Sequence, residues 1–379
     1  MKKIALILGT MSVGSRPLDF HFNNIFESSR GATGTDIAFC MIGKEFVKLG
    51  HDVHMFTVHA EPNNKPDMWE GAHLYNFIDR HTVIDDSFDV IISLNEPDVF
   101  RGINSKAYKV CYQFLNDFTY TQPQFDDYVD HWIGVCEEHK NYLLSQARAP
   151  SADKWSIVPL GVDPTWYEDR RVPGRTVWMS SADRGLHNLL EVWPRIRSAV
   201  PNATLKIFYH FEYGDLLKIE PHDLTVHHFH TVEMSHRLRY ILNAIERLKP
   251  LGVEHVKSVS RNRMVQEMNE ASVFAFPCDT VSTTEGFSCS TLESHASFTV
   301  PVITDQDCLG SIYKNSGAVV IKSPVRERLP EFADAVIKAL LDKEYSDGVI
   351  EKCRAFAQQH TWKQTSEKLI TIICNKTVK

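Results

Sequence analysis

Short apolar runs recur along this chain with helical patterns between them, and they fall into two successive series. The first comprises residues 4–9, 53–58, 89–94, 109–115, 132–136 and 155–160. The second comprises residues 175–179, 204–209, 255–259, 272–277, 300–304 and 318–321. Such alternation predicts a parallel sheet with crossover helices in each half. Between the first two runs Phe39, Ile42, Phe46 and Leu49 recur at helical spacing, and Gly50 follows where a C-terminal cap belongs. The expected fold class is α/β, with two domains.

Length agrees with two cores, because 379 residues exceed what one typical core accommodates. Between the series lie Pro159 to Pro164 and then Glu168, Asp169, Arg170, Arg171, Pro173 and Gly174, a hinge-like composition. The boundary is therefore expected near residue 168, giving domains 1–168 and 169–355 and a terminal segment 356–379. Residues 211–251 are less regular and longer than a plain connection requires, with an amphipathic helix around Leu238, Ile241, Leu242, Ile245 and Leu248. They read as an insertion without an evident purpose.

A net charge of -7 and the lack of a basic run oppose a grip on nucleic acid. No stretch approaches the roughly 20 apolar residues of a membrane span, so membrane contact would be peripheral at most. The apolar run after Lys2 and Lys3 is short and soon followed by Arg16 and Asp19, which favours a first strand over a signal peptide. Eight cysteines are scattered without CxxC spacing, as reduced core thiols are. A cytoplasmic protein is expected.

The most informative stretch runs from Phe274 to Asp305. Phe274-Ala275-Phe276-Pro277 reads as a strand, Glu285 to Glu293 as a loop feeding a helix, and Val300 to Thr304 as the next strand. A ligand of an open parallel sheet sits beyond the carboxyl ends of its strands, where this loop lies. The helix start offers unpaired N–H groups to a phosphate. A plainer reading competes, since Ser290-Thr291-Leu292-Glu293 is also a capping box in which Glu293 satisfies a backbone donor.

The segment Glu285-Gly286-Phe287-Ser288-Cys289-Ser290-Thr291-Leu292-Glu293 resembles the E-G-F-G-x-x-x-L-E-A signature of the retaining glycosyltransferases of family 4. The resemblance implies the GT-B fold, two Rossmann-like domains facing across a cleft, with acceptor side first and donor side second. It places Glu285 against the donor sugar and Glu293 on the nucleotide ribose, with Gly286, Phe287 and Ser288 in the same donor site. Ser288 stands where the second glycine is usual.

Ser180-Ser181-Ala182-Asp183-Arg184-Gly185-Leu186 resembles the K-G-L segment of that family, with Arg184 in the lysine position and Ser181 beside the donor. A cation is needed there, because breaking the glycosidic bond builds negative charge on the departing diphosphate. Many relatives carry an arginine five residues earlier, where this chain has Met179; Lys257 is a candidate to compensate. Gly31 to Asp36 resembles the G-G-x-E loop, with Gly34 letting the backbone approach the donor phosphate. A helix start capped by Thr35 or Asp36 would leave the same pattern. No GxGxxG is present, and residues 9–33 intervene where a dinucleotide turn needs only a few.

On the acceptor side, Asn116 and Asp117 follow a strand where relatives often have His-Asp, and His139 resembles the family's S-x-x-H. His360-Thr361-Trp362 resembles the terminal F-x-W helix, which crosses back onto the first domain. His227, His228, His230 and His236 lack a carboxylate or cysteine to complete a ligand set, and no metal or other cofactor is expected. The implied reaction moves a sugar from a nucleoside diphosphate, UDP- or GDP-linked ahead of ADP-linked, to a hydroxyl on a glycan, lipid or small molecule, with retention. A nucleotide-sugar epimerase, a phosphorylase and a non-catalytic GT-B binding protein are the competing readings.

Overall fold

The structure, a computed structural model, describes residues 1–9, 22, 25–27, 31–60, 67–115, 127–145, 151–209 and 229–377. The chain forms two compact units, Met1–Gly161 together with His360–Lys379, and Val162–Gln359. Each is built on its own sheet.

The first sheet has eight strands: β1 (Lys3–Leu8), β2 (Asp52–Thr57), β3 (Asp67–Trp69), β4 (Ala72–Asn76), β5 (Val90–Leu94), β6 (Tyr108–Tyr112), β7 (His131–Gly134) and β8 (Trp155–Ile157). Their order is β3-β4-β2-β1-β5-β6-β7-β8, parallel throughout except for the β3–β4 hairpin. Ile4 to Leu8 and Val90 to Leu94 are wholly buried, as central strands covered on both faces must be. The terminal helix Trp362–Thr377 lies on this unit beside the helix Gly34–Lys48. Its start abuts Gly161, where a Cβ would lie 2.4 Å from the Trp362 nitrogen, and Thr365 Oγ1 donates to the Pro159 carbonyl.

The second sheet contains β9 (Arg175–Trp178), β10 (Thr204–Ile207), β11 (Val253–His255), β12 (Val273–Phe276), β13 (Val300–Thr304) and β14 (Val319–Ile321). Its order is β11-β10-β9-β12-β13-β14, all parallel. Trp178, Trp193, Phe274 and Phe276 fill its core. Among the described residues, no helix is long and apolar enough to cross a membrane.

Three features depart from the sequence expectations. The chain passes between units at residues 161 and 162 rather than near 168, because residues 167–172 are knitted to the second unit. There Glu168 and Arg170 amides donate to Asn269, and Val172 donates to the Glu270 carbonyl. The β3–β4 hairpin was not anticipated. Strand β11 spans Val253–His255 instead of 255–259, since Lys257 adopts a positive φ of 71°, which an extended run does not tolerate.

Candidate functional site

In the second sheet the strand order reverses between β9 and β12: the chain steps outward from β9 through β10 to β11, then restarts at β12 and steps the other way. The carboxyl ends of those two strands flank the crevice where such a sheet takes a ligand. Arg184 leaves the end of β9, and Glu285 leaves the end of β12.

Beyond β9 the chain makes a tight 3-10 turn, Ala182–Arg184, and closes it on Gly185 with φ 109°. A Cβ at Gly185 would lie 2.1 Å from the Pro277 carbonyl oxygen, so glycine alone allows this approach to the loop after β12. The Asp279 amide donates to the Arg184 carbonyl at 3.2 Å and joins the two loops. Ser181 begins the same turn, its carbonyl accepting from the Arg184 amide.

Joined in this way, the loops set Arg184 Nη1 2.7 Å from Glu285 Oε2. The glutamate is 3% exposed, whereas the arginine side chain keeps 29% of its surface. Burial lifts the Glu285 carboxyl above its ordinary range. The Arg184 guanidinium opposes that rise without cancelling it, and nearby Asp307 adds to it. Burial works against the charge on Arg184, but Glu285 together with Asp183 and its other neighbours outweighs it and holds the guanidinium firmly protonated. The pair is a charged, largely desolvated couple with one open flank.

Asp307 anchors the loop that presents Glu285. Its Oδ2 accepts from the Thr284 and Glu285 amides, both at 3.0 Å, and from Thr280 Oγ1 at 2.9 Å. Sequence reasoning missed this residue. The available signal was its place just beyond β13, the neighbour of β12, where a loop at the same sheet end must fall.

Gly286, Phe287 and Ser288 follow, all buried. The Tyr313 hydroxyl donates to the carbonyls of Phe287 and Ser288, each at 3.1 Å. Ser288 is the N-cap of the helix Cys289–Ala296, in a left-handed conformation with φ 63°, and its hydroxyl accepts from the Thr291 amide. This displaces the capping box read at Ser290 to Glu293. Glu293 turns instead to Arg261, Oε1 to Nη2 at 2.7 Å, and Arg261 also donates to the Tyr167 hydroxyl at 3.1 Å. Burial, with Glu293 beside it, pushes the Cys289 thiol up to about 12, so this cysteine is no thiolate nucleophile at neutral pH.

The presumed insertion carries part of the site wall. Its helix Phe229–Leu248 packs on the Ala182–Arg184 turn and sends the buried Arg237 to the Asp279 carbonyl at 2.5 Å, with Glu233 pairing to Arg237 behind it. Asp279 also accepts from Asn188 at 3.2 Å and from Arg326 at 2.9 Å, with His187 3.3 Å away. Burial acts to raise the Asp279 carboxyl, but the His187 hydrogen bond and the Arg237 charge outweigh it and hold it well below the usual carboxylate range. Met179, in the position of the second clamp cation, is buried.

Other expected site residues lie apart from this couple. Lys257 is exposed beyond β11, the edge strand two removed from β9, which opposes its use as the second clamp cation. In the first unit, Gly34 opens the helix Gly34–Lys48, whose N-cap is Thr33 rather than Thr35 or Asp36. Thr33 and Asp36 form a reciprocal capping box. His139 is fully buried, its Nε2 3.2 Å from the Leu115 carbonyl, and burial lowers its pKa to about 4 despite that hydrogen bond. Its ring is therefore neutral at physiological pH. Asn116 and Asp117 lie outside the described residues, as do His227 and His228; His236 is exposed.

No protein-family model matches this sequence, and no curated relative does. Solved structures match along the whole chain. Sucrose-phosphate synthase from Thermosynechococcus elongatus aligns with TM-score 0.69 and 11% identity over 99% of each chain. A glycosyltransferase involved in avilamycin A biosynthesis aligns at 0.66 with 14% identity, over 100% of this chain and 98% of its own. The HepE protein of Anabaena, solved with UDP and glucose, aligns at 0.66 with 10% identity, over 98% of this chain and 100% of its own. These neighbours are GT-B glycosyltransferases, and this chain shares their two-domain GT-B fold.

Proposed function

We propose that the chain is a metal-independent, retaining glycosyltransferase of the family 4 type, acting in the cytoplasm on a nucleoside-diphosphate sugar and a hydroxyl acceptor. The observation that carries the reading is the Arg184–Glu285 couple at the switch point of the second sheet. In this reading Arg184 stabilises the charge that builds on the departing diphosphate, and the first-turn amides of the helix Cys289–Ala296 support it. Glu285 then exchanges its arginine partner for the donor sugar, and Glu293, steadied by Arg261, takes the ribose. Gly34, Asn116, Asp117 and His139 are assigned to the first unit's share of the reaction, with His139 supporting the Leu115 carbonyl. That UDP- and GDP-sugars precede ADP-sugars belongs to the same proposal.

A thermal-shift screen of UDP-, GDP- and ADP-sugars tests the donor site. A donor at a hundred times its Kd stabilises the folded state by about 2.7 kcal/mol, which is readily measured. Absence of any nucleotide-sugar response refutes the donor site. Product analysis, including the anomeric configuration, then separates transfer from epimerisation or phosphorolysis. The second reading, a binding protein without transfer, rests on Met179, which leaves one cation where two are usual. A nucleotide-sugar response without turnover against any acceptor would select it.

A further inference from the structure

The first unit carries a cluster that the glycosyl-transfer reading does not use. Asp52 and His54 lie two residues apart on β2, so their side chains share a face of the sheet. His73 is the register partner of His54 on β4, which brings it to the same face. The two imidazoles stack with centroids 4.6 Å apart. Both Nε2 atoms approach one carboxylate oxygen, Asp52 Oδ1, at 3.2 Å from His54 and 3.6 Å from His73.

Two further observations point to a ligand. His54 is 7% exposed, and among the described residues its Nδ1 has no hydrogen-bond partner while its Nε2 meets Asp52 Oδ1; His73 Nδ1 also lacks one. A buried imidazole left in that state calls for an ion or a water. The two nitrogen-to-oxygen spacings suit a coordination shell, because ligands about 2.1 Å from a tetrahedral zinc stand about 3.4 Å from one another, and one ligand atom from each of the three residues lies within 4.8 Å of the others. His73 and Asp52 keep 37% and 36% of their side-chain surface, so solvent reaches the cluster and can supply the remaining ligands.

We propose that Asp52, His54 and His73 form a site for a divalent transition-metal ion of the zinc type, with two imidazoles and one carboxylate as protein ligands. Imidazole with carboxylate suits zinc, nickel and cobalt better than calcium or magnesium, which prefer all-oxygen shells. The site lies toward the amino ends of β2 and β4, away from the strand ends that carry ligands in such sheets. A metal there cross-links neighbouring strands and stabilises the unit, with no part in glycosyl transfer.

The test uses the full chain with any affinity tag removed, stripped with a chelator and desalted. Titration with zinc ion at pH 7.5 is followed by calorimetry, and cobalt by its visible absorption. One saturable site is expected, with a rise in melting temperature that a chelator reverses. His73→Ala and Asp52→Asn each weaken zinc binding at least about tenfold, as loss of a direct ligand must when outer-shell losses alone cost 10- to 100-fold. Both positions are partly exposed, so these variants are expected to fold, which circular dichroism verifies. Absence of saturable binding in the parent overturns the proposal. So does binding that both variants retain, since it then resides at other histidines.

Discussion

The two sheets share one plan and differ in what they place where the strand order reverses. In the first, the order β4-β2-β1-β5-β6-β7 turns between β1 and β5; in the second, β11-β10-β9-β12-β13-β14 turns between β9 and β12. Near the first turning point stand groups occupied in holding backbone. Asn95 Oδ1 accepts from the Phe114 and Leu115 amides, and His139 faces the Leu115 carbonyl. At the second stands a desolvated ion pair with an open flank. Topology thus supplies a place for a ligand in both units, and among the described residues the second carries the desolvated ion pair there.

The largest expected contrast is in activity. Arg184→Ala should lower kcat by about 10²–10³-fold, the usual loss on removing one preorganised electrostatic group. Lys257→Ala, exposed beyond the edge strand, should change it little. Once a donor and acceptor are identified, steady-state kinetics decide. Near-equal activities of the two variants would remove Arg184 from its role. The acid limb of the rate profile should also lie above the ordinary glutamate range, because burial raises the Glu285 carboxyl and the reading requires it ionised. A carboxyl whose folded pKa exceeds its unfolded value favours the fold on protonation, so this loss of rate with falling pH is separable from unfolding.

Next in size is a pair of glycines, one from each unit. Gly185→Ala should destabilise by about 3 kcal/mol or more, since φ 109° and the Pro277 carbonyl both oppose a Cβ. Gly50→Ala meets the cost of its φ of 81° alone, with nothing within 4 Å, and should lose about 1 kcal/mol. Denaturant melts of the two proteins measure the difference. Equal losses would mean that the loops after β9 and β12 can separate freely.

How far all this was legible depends on whether the signal was local. Both series of strands announced themselves by apolar runs. The β3–β4 hairpin did not, because its two-residue turn is Glu70-Gly71, with φ 48° and 87°, where Asn-Gly or Asp-Gly is the usual mark. Arg184 and Glu285 were each named from sequence, but not their mutual contact, which depends on sheet order. Asp307 and Arg237 reach the site from other strands and helices, and no spacing along the chain records that.

A smaller effect, with a pH signature, comes from His139. Its folded pKa of about 4 lies below the unfolded 6.5, so the unfolded chain binds its proton first as pH falls. The stability it contributes is complete above pH 6.5 and is lost progressively toward pH 4, to a total of roughly 3 kcal/mol. His139→Gln keeps an amide donor for Leu115 and removes the titration. Urea melts from pH 7.5 to 4.5 should therefore show a shallower decline in the variant. An unchanged slope would mean that the ring is not held neutral by burial.

The smallest effect separates two opposing contributions at one residue. Ser288 holds φ 63°, a conformation that costs a residue with a Cβ about 1 kcal/mol and glycine almost nothing. Its hydroxyl also caps the helix Cys289–Ala296 at the Thr291 amide, and replacing a serine cap by glycine loses only a few tenths. Ser288→Gly should therefore stabilise the chain by about 0.5 kcal/mol in thermal melts. It restores the residue usual in the resembling signature while leaving the Arg184–Glu285 couple in place. A stabilised variant with unchanged kcat would show that the serine is tolerated here as a cap. A stabilised variant with reduced kcat would show instead that its hydroxyl serves the donor, which the backbone at this position cannot do alone.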